Sequence, residues 1–263
     1  MRLSEALACL FFACMVVAAW VRQVPAIRRV LVTAIGGVMG LAIWQAVPLA
    51  STLVRNWVPF TYVLVGYYVS GLLFTTPSEP VEQWLLAWDE RLFGDPTTRF
   101  QTWPRVLLAY LEIVYLGTFL LVPAGFAILQ FTGHAQMADR YWSMVVGAEL
   151  SAFGGLAIVQ TRPPWDIGQK AVLADRVVHR TGDWFARELT IRANTFPSGH
   201  AAGSLAIALA VFPAVPLAGI ILLVLSLSIS VASVVGRYHY AVDVVAGIAL
   251  ALAICGSLFA LMP

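Results

Sequence analysis

His239 and Asp243 stand four residues apart in the stretch Gly236-Arg237-Tyr238-His239-Tyr240-Ala241-Val242-Asp243. On a helix that spacing puts both side chains on one face. The carboxylate can then accept the imidazole Nδ1–H and fix the tautomer that leaves Nε2 with a free lone pair, a nucleophile oriented by an acid. An acid at the start of an apolar helix can also be a plain cap or dipole partner, but an ionisable residue entering an apolar span is costly and marks function. A second histidine, His200, ends the run Asn194-Thr195-Phe196-Pro197-Ser198-Gly199-His200, directly before AAGSLAIALAV. Proline, serine and glycine ahead of strong helix formers describe a helix start. Its free N–H groups and dipole favour an anion. His200 at that mouth is placed to hold or donate a proton beside a bound oxyanion, or else is a structural histidine. The third stretch is Thr161-Arg162-Pro163-Pro164-Trp165. Its prolines stop a helix and leave Arg162 at the end of an apolar segment, as a basic stop-transfer residue or an anion ligand.

These groups lie at junctions between polar loops and long apolar runs. Of the 263 residues, 60% are hydrophobic and 11% charged, with a mean hydropathy of +0.83; a soluble domain carries roughly a quarter charged residues. The apolar runs cover Ala6–Val21, Val30–Leu49, Trp57–Phe74, Val106–Leu129, Trp142–Gln160, His200–Phe212, Leu217–Val235 and Ala241–Leu261, near the ~20 residues of a spanning helix. The expected fold is all-α, a polytopic membrane bundle of six to eight transmembrane helices with an interfacial amphipathic helix. The first run reads as a retained anchor rather than a signal peptide, because Glu5 sits where a basic segment belongs. Within 75–105, Val81, Trp84, Leu85, Trp88 and Leu92 recur at helical spacing, with Glu82, Asp89, Glu90 and Arg91 elsewhere. That describes a helix at the membrane interface or a loop helix packed on the bundle. Residues 1–75 are assigned to N-terminal transmembrane helices and 76–263 to a catalytic membrane domain, together one structural unit. Cys9, Cys14 and Cys255 all lie in apolar runs without metal-ligand spacing. A net charge of +2 argues for no nucleic-acid partner. Glu112 and Glu149, inside apolar segments, either contact a substrate, line a polar cavity or pair with a neighbouring helix.

In their order the three stretches resemble the type 2 phosphatidic acid phosphatases of the lipid phosphate phosphatase and vanadium haloperoxidase superfamily. Their signature is K-x6-RP, then PSGH, then SR-x5-H-x3-D. Here PSGH is Pro197 to His200, RP is Arg162-Pro163, and H-x3-D runs from His239 to Asp243. The family lysine falls on Gly155 and the family arginine on Ser233, so two cations are missing; Arg237 is the obvious substitute, with Lys170 or Arg192 filling in from the loop. LLAWDERLFGDP, RPPW and GRYHYAVDVVAG look more like the branch of inositol phosphorylceramide synthases. The resemblance implies a lipid phosphate substrate at the PSGH helix start, held by the Ser198 and Gly199 N–H groups, the Ser198 hydroxyl, Arg162 and Arg237. His239 attacks phosphorus, Asp243 orients it, and His200 protonates the leaving group, with no metal and no cofactor. Transfer to water makes a phosphatase and transfer to an alcohol a phosphotransferase. A soluble haloperoxidase conflicts with the apolar runs, and a lipid transporter or scaffold has no need of both histidines. Partners are membrane lipids. For the integral protein, in a bacterial inner membrane or its equivalent, thirteen of sixteen Arg and Lys lie on the side of the site. The positive-inside rule alone puts that side in the cytoplasm; the family resemblance implies the outer face, which is the reading taken.

Overall fold

A computed structural model of the chain describes residues 1–167, 191 and 193–261. Its helices are α1 (Leu3–Val21), α2 (Ala26–Leu41), α3 (Thr52–Trp57), α4 (Pro59–Leu72), α5 (Glu79–Phe93), α6 (Pro96–Gln101), α7 (Arg105–Leu116), α8 (Thr118–Phe131), α9 (Ala138–Gly154), α10 (Gly199–Val211), α11 (Pro216–Val235) and α12 (Ala241–Leu261). No strand occurs among the described residues; Thr161 and Asn194 form an isolated antiparallel bridge. The chain is an all-α bundle, as its apolar runs require, since a helix satisfies its own backbone where water is absent.

All eight apolar runs contain helix, but fewer of them are long enough to span. Among the described residues four helices qualify by length and composition: α1, α2 with its continuation to Leu49, α11 and α12; α7 and α8, bent by 64° at Gly117, count as a fifth if taken together. The shortfall from six to eight lies in α4, α9 and α10, with 14, 17 and 13 residues. Pro59 starts the first of these and a break at Gly154-Gly155 ends the second.

The short helices form the centre. Nearly every residue of α10 is buried, as expected of a helix that is apolar all round, and it packs against α8, α9, α11 and α12. Its Gly199, Ala201, Ala202, Gly203 and Ala206 are small enough for close approach of those neighbours. Ser204 and Ser226 hydroxyls meet at 2.9 Å between α10 and α11. On α12, a Cβ at Gly247 would fall 2.5 Å from the Ser198 carbonyl oxygen, so α12 rests directly on the start of α10.

The facing of α5, which its residue spacing left open, is set by its acids. Leu85 is buried together with Glu82 and Asp89, while Trp84, Trp88 and Leu92 are exposed. The acids at i and i+7 face inward because each has an arginine to meet there, described below, and the indoles face out.

The α10–α12 contact generates a test. Gly247→Leu should cost at least the 1–3 kcal/mol of an overpacked core, read as a lowered Tm in detergent. Gly256→Leu, where a Cβ meets nothing within 4 Å, should stay near wild type.

Candidate active site

Two helix starts and the turn before one of them build the site. Ser198 is the N-cap of α10; its Oγ accepts from Ala201 N at 3.4 Å, and Gly199 N donates to Thr195 Oγ1 at 3.2 Å. This holds His200 in the first turn. The α11 helix ends at Val235, and both Tyr238 N and His239 N donate to the Ser233 carbonyl at 3.0 Å. Arg237 adopts φ 60°, uncommon for a residue with a side chain, and its carbonyl accepts from Trp165 N at 3.2 Å. The turn so fixed places His239 Nε2 3.2 Å from His200 Nδ1.

Asp243 lies in the first turn of α12, with its Oδ2 3.5 Å from His239 Nδ1. The same oxygen accepts from Asn194 Nδ2 at 2.7 Å and Tyr240 N at 3.1 Å, and the Asp243 carbonyl accepts from Ser198 N at 3.0 Å. Asn194 Nδ2 also reaches Thr161 Oγ1 at 3.0 Å. All three sequence stretches are therefore joined around one carboxyl group. With Nδ1 toward the acid, the His239 Nε2 lone pair points at His200. Burial pushes the His239 imidazole down to about 3, because an apolar surrounding disfavours the cation; the ring is neutral at pH 7. The His200 ring stacks on Tyr115 (centroids 4.7 Å apart), and Tyr115 on Tyr238 at 4.0 Å, so the first histidine is held by an aromatic pile that ends beside the second.

The expected phosphate ligands are placed less openly. The Ser198 and Gly199 N–H groups, expected to face an anion, are both consumed inside the site by the bonds just described. Arg237 is fully buried, and its Nη1 meets Asp89 Oδ2 at 2.7 Å, while Asp89 Oδ1 accepts from Ala241 N at 2.9 Å. Arg237 therefore positions the turn instead of facing solvent, since two opposite charges buried together hold one geometry. Arg162 gives its Nε and Nη2 to Glu82, at 3.1 and 2.7 Å, with its side chain 35% exposed; it keeps an open edge. Its carbonyl accepts from the Tyr240 hydroxyl at 3.0 Å. Lys170 and Arg192 lie outside the described residues. The positions of the two absent family cations have physical reasons to be small: a Cβ at Gly155 would overlap the Phe196 carbonyl, and Ser233 is buried with its hydroxyl on the Ile229 carbonyl at 2.8 Å. Among the described residues no three His, Cys, Asp or Glu side chains group as a metal site would need.

Sequence reasoning passed over Asn194, Glu82, Asp89 and Tyr115. Asn194 opens the same run as PSGH, which was a usable signal. Glu82 and Asp89 were legible only as acids seven apart flanking Leu85, and Tyr115 carried no signal.

Two outcomes follow from this arrangement. Arg237→Ala leaves the Asp89 carboxyl buried without its partner and should cost about 3–5 kcal/mol, whereas the pair Arg237→Gln with Asp89→Asn should recover much of it; thermal unfolding in one detergent reads both, and an unchanged Tm in Arg237→Ala would contradict the positioning role. The second concerns pH. His239 is depressed from an ordinary ~6.5 to about 3, so between those values the unfolded chain binds a proton that the folded chain does not. Stability should fall as pH is lowered from about 7 to about 5, and His239→Gln should flatten that part of the curve.

A family model described as the PAP2 superfamily matches residues 83–256. No curated protein and no solved structure matches the chain. The match begins within α5, the helix that supplies Glu82 and Asp89, and runs through both histidines and Asp243. Covering more than half of the sequence, it establishes that the chain belongs to the PAP2 superfamily.

Proposed function

We propose that the chain is an integral membrane phosphatase that removes phosphate from a lipid phosphate or lipid diphosphate through a phosphohistidine on His239. Membership of the superfamily supports an enzyme of the phosphatase or phosphotransferase type acting on lipid phosphates. The observation that carries the finer reading is the line Asp243–His239–His200, with Nδ1 of His239 toward the acid and Nε2 at 3.2 Å from His200.

In the first half, the Nε2 lone pair attacks phosphorus, the bond to the leaving oxygen breaks, and that oxygen takes its electron pair and a proton from His200, which the bound anion keeps charged. Asp243 balances the positive charge that develops on the phosphorylated ring. Arg162, paired with Glu82 but with an open edge, is a described cation that would meet the equatorial oxygens, where charge accumulates. In the second half the now neutral His200 takes a proton from water as it attacks phosphorus, and the N–P bond breaks. The 3.2 Å between the rings leaves no space for a phosphorus atom, so substrate entry must part them.

The branch resembling inositol phosphorylceramide synthases gives a second reading, supported by the absence of cations at Gly155 and Ser233: the acceptor is an alcohol hydroxyl and the enzyme a head-group phosphotransferase. In either case the site faces the outer side of the membrane.

Rapid quench with a radiolabelled lipid phosphate should trap acid-labile phosphate on wild type and none on His239→Ala. His200→Ala should slow formation of that adduct by roughly 10²–10⁴-fold on an alkyl phosphate and much less on an aryl phosphate, whose leaving group needs no proton. Absence of covalent phosphate under single-turnover conditions would overturn the phosphohistidine; equal losses on both substrates would overturn the acid role of His200.

A further inference from the structure

A cavity opens beside His200 on the side of α4, α8 and α9, lined among others by Tyr67, Thr118, Phe119, Glu149 and Phe153. Glu149 is 6% exposed. Its carboxyl lies over the two glycines of α10: a Cβ at Gly203 would overlap it, and one at Gly199 would come within 3.6 Å of Oε2. Gly199 directly precedes His200, so this α9 acid lies against the first turn of α10 beside that histidine. No hydrogen-bond partner meets this carboxyl among the described residues. The Thr118 hydroxyl donates to the Tyr115 carbonyl at 2.7 Å, and the Tyr67 hydroxyl accepts from Ile191 N at 3.1 Å.

A polar group buried this deeply costs several kcal/mol unless a donor meets it; none of the lining side chains bonds the carboxyl, so the cavity is where a donor can reach it. The lipid phosphate itself does not fit that need, since its oxygens are acceptors and its charge is repelled by an acid. A neutral O–H does.

We propose that Glu149 binds the acceptor of the second half-reaction, a water or an alcohol hydroxyl, and holds its oxygen against His200. The acceptor O–H donates to the Glu149 carboxyl on entry. As its oxygen bonds to phosphorus, the N–P bond returns its electron pair to His239 Nε2; water keeps its bond to Glu149 and gives its second proton to His200, whereas the single proton of an alcohol turns from Glu149 to His200. This rests on the phosphohistidine reading above and adds a residue and a direction of approach: phosphate from the His239 side, acceptor from the α4–α8–α9 side.

The test separates the two half-reactions. Radiolabelled phosphoenzyme is formed by rapid mixing and its discharge followed in buffer alone, for inorganic phosphate, and with a dispersed long-chain alcohol, for alkyl phosphate. In Glu149→Gln the adduct should form as fast as in wild type and discharge at least ~10-fold more slowly, so that it accumulates. Slowing of phosphate release only assigns the site to water; slowing of alkyl phosphate formation as well assigns it to hydroxyl groups generally. Formation and discharge slowed in the same proportion, or discharge unchanged, would overturn the proposal. Glu149→Asp, which keeps the acid but withdraws it by a methylene, gives the same reading with a smaller slowing and serves if the glutamine variant does not fold. A wild type that never carries phosphate sinks the phosphohistidine and this proposal together, whereas a normal wild-type adduct with fast discharge in both variants sinks this proposal alone.

Discussion

The Asp243 carboxyl is the point on which the site's geometry depends. One oxygen receives Asn194 and the Tyr240 amide and faces His239, while the residue's own carbonyl receives Ser198 N. An acid buried among apolar helices persists only where donors converge on it, and here the donors come from the turn before α12 and the run before α10. The donors that converge on Asp243 Oδ2 therefore draw together segments almost fifty residues apart, |i−j| 49 for Asn194. Ser198 N is spent on the Asp243 carbonyl and Gly199 N on the Thr195 hydroxyl, so the helix start goes into building the site.

Much of this was legible in the sequence because it followed from local chemistry. The H-x3-D spacing placed acid and imidazole together, the Pro-Ser-Gly run placed a helix start, and the apolar runs set an all-α bundle. What was not legible depended on partners far along the chain. The apolar stripe of α5 was legible as amphipathic, but the inward facing of Glu82 and Asp89 was not, because both look like solvent-facing acids until Arg162 and Arg237 are known to stand under them. For the same reason Arg237, two residues before the histidine, read as an open cation when its charge is already matched. The number of long spans was not legible because hydropathy marks apolar runs and not helix lengths, and α4, α9 and α10 are short.

The two missing family cations are consistent with this packing. A lysine at 155 needs space where the Phe196 carbonyl lies against Gly155, and an arginine at 233 needs space where the small, buried Ser233 side chain gives its hydroxyl to the Ile229 carbonyl. The turn is held instead from outside by the Asp89–Arg237 pair.

That pair gives α5 a role beyond lying at an interface. Glu82 and Asp89 are two helical turns apart, about 10 Å along the axis, and each grips a different catalytic segment: Glu82 the Arg162 loop, Asp89 the turn carrying His239. The opposite face presents Trp84 and Trp88, ring centroids 6.4 Å apart, with Arg91 over Trp88 at 5.3 Å, side chains suited to the headgroup region. A rigid helix cannot lift one face without moving the other. One helix therefore ties the Arg162 loop and the His239 turn to the face that carries the indoles.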